Sequence, residues 1–169
     1  PTLRRVGAIL DAGIPVMGHI GLTPQSATKL GGYKPQGLSA NAAARLIDAA
    51  RALERAGCFA VVLEAIPAAV AARITEILTI PTIGIGAGPA CSGQVLVWHD
   101  LLGLSQGHVP KFVKQYANAA DDVVTALRAY VQDVKTGRFP EAQHTYRMPD
   151  AERERFEAAT AAARNTSGS

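Results

Sequence analysis

Four short apolar runs constrain this chain more than any other feature: IPVMGHIG at 14–21, FAVVLE at 59–64, IPTIGIGAG at 80–88 and GQVLVWHD at 93–100. They are too apolar for a sheet with one face in water, and helical rhythm fills the stretches between them. Such runs form buried parallel strands joined by crossover helices. Between the first two, Leu46, Ile47, Ala50 and Leu53 recur at helical spacing, with Ser39 or Asn41 as the cap and Gly57 as the stop. Residues 68–78 predict a shorter helix. Upstream, Val6, Ile9 and Leu10 predict a helix closed at Gly13. From Lys111 a longer helix is expected past Asp133, with Val113, Tyr116, Ala120, Val123, Val124, Leu127 and Val131 on one face and Gly137 at its end. Residues 151–169 read as helical and then as a disordered tail, outside the single domain portion of 1–150.

Alternating parallel strands and helices leave two architectures, a doubly wound sheet or a (β/α)8 barrel. Composition agrees, since 48% of the residues are hydrophobic but only 5% aromatic, which suits packed α/β layers. The net charge of +3 is small and its sources scattered, which argues against nucleic-acid binding. No apolar run reaches the roughly 18 to 20 residues of a membrane span, and no signal peptide is visible. Cys58 and Cys91 lack metal-ligand spacing and suit a reducing compartment, so a cytoplasmic protein is expected. The chain enters a helical pattern at once, without an initiator methionine, so a preceding segment is expected as well.

Both architectures place function at the C-terminal ends of the strands. Here those ends carry His19 to Pro24, Glu64 to Pro67, Gly84 to Gly88, and His99 to Gly103. In GHIGLTPQS, Gly18 and Gly21 bracket His19, whose imidazole either enters a pocket or bonds a backbone carbonyl. Glu64 ends an apolar strand. A carboxylate among apolar walls can take a proton from carbon next to a carbonyl, or it can cap a helix or pair with an arginine. Gly84, Gly86 and Gly88 are spaced G-x-G-x-G and run into Pro89 and a strand, so the machinery of a dinucleotide loop is missing. They read as a turn, or as glycines that let backbone approach a flat ligand. GGYKPQG offers Tyr33 for stacking and Lys34 for an anion.

Taken in order, GHIGLTPQS, GGYKPQG, ALERAGCFAVVLEAIP, IPTIGIGAG, GQVLVWHDLLG and GHVPKFVK resemble the 3-methyl-2-oxobutanoate (ketopantoate) hydroxymethyltransferase family over residues 14–146. The resemblance implies a (β/α)8 barrel of the phosphoenolpyruvate/pyruvate type, of which this chain would hold only the later strands and helices. It implies transfer of a hydroxymethyl group from 5,10-methylenetetrahydrofolate to 3-methyl-2-oxobutanoate, in pantothenate and coenzyme A biosynthesis. Glu64 would be the general base at C3, with His19 near the oxo acid and Ile85, Val95 and Val97 as walls for its isopropyl group. The glycine loop, Gly84, Gly86 and Gly88, would approach the folate. Mg2+ would stabilise the enolate, through ligands expected upstream of this chain, and a homo-oligomer, commonly a decamer, would be the assembly. The second reading is a scaffold without its own metal site and without activity alone. The family commonly has aspartate at Ser92 and a basic residue at Leu38, so Ser92 receives no polar role and the GGYKPQG loop a weaker anion role. His99, Asp100 and His108 are left without a role.

Overall fold

Val61 and Leu63, in the middle of the FAVVLE run, have no exposed surface (0%), and the sheet is built around them. The structure is a computed structural model and describes residues 2–23, 34–105, 107 and 109–165. Its elements run α1 (Thr2–Asp11), β1 (Met17–Gly21), α2 (Ala40–Arg55), β2 (Ala60–Glu64), α3 (Ala68–Ile77), β3 (Thr82–Ile85), β4 (Gly93–Gln94), α4 (Trp98–Leu101), α5 (Ala119–Lys135), a 3-10 turn (Ala142–His144) and α6 (Asp150–Asn165). The four strands form one parallel sheet in the order β1-β2-β3-β4. The fold is α/β, as the apolar runs require. The chain divides into two compact units, Pro1–Ala120 with the sheet and Asp121–Ser169.

Register assigns each strand residue to a face. Gly18 pairs with Val61 and Val61 with Thr82; Ile20 pairs with Leu63 and Leu63 with Gly84. This face carries the core, where Val61 and Leu63 meet Ala50 and Leu53 of α2 and Ala71 and Ile74 of α3. Helix α2 lies so close that a Cβ on Gly18 would come within 2.8 Å of the Leu53 side chain. Burying a side chain such as Leu63 or Ile74 completely contributes about 1.5–3 kcal/mol each. The opposite face carries Met17, His19, Ala60, Val62, Glu64, Ile83 and Ile85. Its N-terminal end is open, with Met17 45% exposed.

Local chemistry sets the helix ends. The Ser39 hydroxyl accepts from the Ala42 amide at 3.2 Å and caps α2, as one of the two expected residues. Gly57, at φ 96°, stops α2, and the Cys58 amide returns to the Leu53 carbonyl. Gly13 closes α1 in the same left-handed conformation, at φ 77°.

Two expectations fail here. The run GQVLVWHD makes a strand of only two residues, since β3 turns away at Gly86 (φ 64°) and leaves the later residues without a ladder. Val95 makes a last bond to the Gly84 carbonyl, and Val97 already stands at the N-cap of α4. The helix expected from Lys111 begins only at Ala119, so Val113 and Tyr116 lie outside it. The amides of Tyr116, Ala119 and Ala120 bond the carbonyls of Leu101, Leu102 and Gly103, which pins that segment to the α4 turn.

In the second unit, Tyr130 and Phe139 meet edge to face with ring centroids 5.5 Å apart, and Arg138 pairs with Asp133 at 2.9 Å. The helical reading after residue 150 agrees with α6; residues 166–169 of the expected tail lie outside the described ones.

A polar clamp joins α2 to the turn between α3 and β3. Glu54 accepts from both the amide (2.6 Å) and the hydroxyl (2.9 Å) of Thr79, and these bonds hold its carboxyl below the usual glutamate range. A folded-state value lowered in this way adds stability above the unfolded-state value. That stability is lost as pH falls through the folded value. Glu54→Gln is expected to melt below the parent at neutral pH, with the gap closing as both are acidified into the carboxylate range. Thermal unfolding of both proteins from pH 7 to pH 3 checks this, and a gap that stays constant with pH contradicts it.

Candidate active site

Glu64 is the last residue of β2 and Gly21 the last of β1, and the two are paired. His19, two residues earlier on β1, shares their face and sits diagonally across from Glu64, within reach of its side chain. The His19 Nε2 lies 2.9 Å from Glu64 Oε2. An ionised carboxylate only accepts, so the imidazole donates through Nε2–H and leaves the other carboxylate oxygen for a further partner. The Glu64 side chain is 13% exposed and that of His19 37%, so the pair has one solvent-facing and one sheltered member. Ile85 is paired with Glu64 from the other side and is buried, giving the carboxylate an apolar neighbour. The two alternatives open for these residues, a backbone-bound histidine and an arginine-paired glutamate, give way to a bond between them.

The backbone behind Glu64 is held firmly. Its carbonyl accepts from the Leu22 amide at 2.9 Å. Ala65 then adopts φ 49°, a left-handed conformation uncommon outside glycine, and turns the chain toward α3. Its amide bonds the Ile85 carbonyl and its carbonyl accepts from Gln36, both at 2.9 Å. Such a residue persists where its surroundings over-determine it, and it clusters at functional sites. Gly21 (φ 94°) leaves no room for a side chain, because a Cβ there would run into the Glu64 carbonyl.

The glycines of the loop are also points of close approach within the chain. A Cβ on Gly84 would meet the Cys91 sulfur at 2.9 Å and Gln94 at 3.1 Å; one on Gly86 would meet the Phe112 ring at 2.5 Å, and one on Gly88 the Ala68 Cβ at 2.5 Å. The space above these α-carbons is filled by protein, so the glycines serve close packing of the chain on itself. Gln94 fastens the loop by donating to the Gly88 carbonyl at 2.9 Å. Phe112 and Gln94 were not singled out from the sequence; the signal for Phe112 lay in its following Pro110 and Lys111, where a helix was expected.

Ser92 does have a polar role, against expectation. Its hydroxyl accepts from the Thr82 amide at 3.1 Å, while its own amide donates to the Thr82 hydroxyl at 3.2 Å. Thr82, wholly buried, also bonds the Thr75 hydroxyl at 2.8 Å. Ile85 belongs to the face of Glu64, but Val95 and Val97, 46% and 50% exposed, do not share a strand with each other because β4 ends at Gln94. His99 stacks on Trp98 (3.8 Å between centroids) and Asp100 accepts from the Ser105 hydroxyl at 2.5 Å, which are local contacts of the α4 turn. Tyr33, His108 and Pro24 to Ser26 of GHIGLTPQS lie outside the described residues; Lys34 is exposed.

The donor set at the site does not make a magnesium centre. One oxygen of Glu64 already accepts from His19, and among the described residues no three His, Cys, Asp or Glu side chains converge. Among the described residues no helix is long and apolar enough to cross a membrane.

A parallel sheet with a carboxylate–imidazole pair at its C-terminal end is an α/β scaffold with its reactive groups where both doubly wound sheets and (β/α)8 barrels carry theirs. The sequence profile of the ketopantoate hydroxymethyltransferase family matches residues 2–142, and the chain belongs to that family, whose fold is a phosphoenolpyruvate/pyruvate-type TIM barrel. It is similar to the 3-methyl-2-oxobutanoate hydroxymethyltransferase of Oleidesulfovibrio alaskensis, with 59% identity over 153 residues, 90% of this chain and 53% of that protein. A second such protein, from Bradyrhizobium diazoefficiens, is 56% identical over 148 residues, 88% of this chain and 51% of its own length. A third, the mitochondrial one of Oryza sativa, is 61% identical over 142 residues, 82% and 36%. The chain spans about half the length of the two bacterial relatives.

The Ser92 exchange with Thr82 gives a stability test. Ser92→Ala removes the acceptor of a buried strand amide and is expected to cost about 1–3 kcal/mol. Chemical denaturation measures it, and a loss below about 0.5 kcal/mol would show that the amide finds another partner.

Proposed function

We propose that this chain forms part of an enzyme that moves a hydroxymethyl group from 5,10-methylenetetrahydrofolate to 3-methyl-2-oxobutanoate, giving ketopantoate for pantothenate and coenzyme A biosynthesis. The single observation that carries the reading is the 2.9 Å bond between His19 and Glu64 at the sheet's C-terminal end. In this mechanism the free oxygen of Glu64 takes the proton from C3 of the oxo acid. His19 holds the carboxylate through its other oxygen and so fixes the direction in which the free oxygen points. Water adds to the methylene carbon as its bond to N10 of the folate opens, and the remaining N5–carbon bond breaks to leave tetrahydrofolate and formaldehyde. C3 of the enolate bonds that carbon, while the formaldehyde oxygen takes back the proton held by Glu64. Ile85, Val95 and Val97 are proposed as walls for the isopropyl group, and the loop of Gly84, Gly86 and Gly88 as the side from which folate approaches. Magnesium, through ligands beyond the described residues, belongs to the same proposal, as do a cytoplasmic setting and a homo-oligomeric assembly.

Exchange of the C3 proton tests the base without needing folate. In the protein that carries this chain, with magnesium in the buffer, Glu64→Gln is expected to slow solvent exchange at C3 by about 10²- to 10⁴-fold with oxo-acid binding largely retained. His19→Ala is expected to slow it less. Proton NMR of the oxo acid in deuterium oxide reads both, and exchange at the parent rate in Glu64→Gln removes Glu64 from this role.

A further inference from the structure

A second compartment begins where the base ends. Ala65 and Gly86, the residues directly after Glu64 and Ile85, line a cavity of about 860 Å³. That volume lies within the roughly 300–1,000 Å³ of sites that enclose drug-sized ligands, and it is far more than a five-carbon oxo acid needs. Its walls are chiefly apolar, from Pro35, Leu38, Ile66, Pro89 and Phe112. Phe112 stands as a flat wall against the Gly86 backbone, which has no side chain to displace it. The polar lining comes from Gln94, whose amide nitrogen is committed to Gly88, and from Lys111. Among the described residues Lys111 is the one charged member of the lining, it is exposed, and none of their carboxylates pairs with it.

An apolar slot with an aromatic wall and one free cation complements a flat aromatic ring that carries an acid tail. We propose that this cavity holds the p-aminobenzoyl-glutamate arm of the folate co-substrate, with the ring against Phe112 and a tail carboxylate at Lys111. The assignment rests on the hydroxymethyl-transfer reading and adds to it the place and the residues that receive the larger substrate. A folate seated here has its one-carbon end free to turn toward Glu64, one residue away along β2. Leu38, 75% exposed, then gains an apolar partner.

The probe is p-aminobenzoyl-L-glutamate, with 4-aminobenzamide as the ring without its acid tail. Binding to the protein that carries this chain is measured by titration calorimetry for the parent, Lys111→Ala and Lys111→Glu, with circular dichroism as the check on folding. Since the contact is a solvent-exposed ion pair, Lys111→Ala is expected to weaken the acid probe about fivefold and Lys111→Glu more. Added salt should weaken the parent's binding, and 4-aminobenzamide should not distinguish the three proteins. Equal affinity of the acid probe for parent and Lys111→Glu overturns the proposal, and so does a parent that binds no probe. Exchange at C3, measured on the parent without folate, separates the two ideas. Exchange with no probe binding leaves the base in place and removes this cavity. Lysine-dependent binding without exchange does the reverse.

Discussion

The parallel register of β1, β2 and β3 is the constraint on which everything else here depends. It sets Gly21 beside Glu64 and Glu64 beside Ile85. Because side chains alternate across a strand, that one alignment sends Ile20, Leu63 and Val61 into the helices and His19 and Glu64 to the other face. A slip of one residue would bury the carboxylate under α2 and α3 and expose the core. Packing and chemistry are thus specified by the same hydrogen-bond ladder, and the buried face secures the position of the reactive one.

The loops at the strand ends extend that economy. Gly86 and Gly88 let Phe112 and Ala68 press against the main chain. Gly21 lets β1 pass the Glu64 carbonyl, and Ala65 accepts a left-handed backbone immediately afterwards, anchored by Ile85 and Gln36. Part of the wall of the cavity beyond Glu64, at Ala65, Gly86 and Gly88, is therefore backbone, which has no rotamers to lose when something binds.

Much of this was legible in the residues. Apolar runs between helical stretches require a buried parallel sheet, and a carboxylate at the end of one of them stands out. The bond between His19 and Glu64 was less so, because each residue alone has ordinary structural uses and only register brings them together. Three features could not be read from local pattern. GQVLVWHD has the composition of a strand, but a strand needs a neighbour, and β3 leaves at Gly86. The segment after Lys111 has helical rhythm, yet its amides find the α4 carbonyls first. Ser92 looks like an unremarkable loop serine until Thr82 is seen to be wholly buried and in need of partners. Each is a case of tertiary contact overriding a local preference.

His19 stands on β1, which forms an outer margin of the sheet in the order β1-β2-β3-β4. One side of that strand's main chain bonds to β2, and among the described residues no strand uses the other. Whatever segment comes to lie along that margin would stiffen β1 and, through it, the imidazole that steadies Glu64. A change that loosened the β1–β2 ladder would therefore disturb the His19–Glu64 bond along with the sheet.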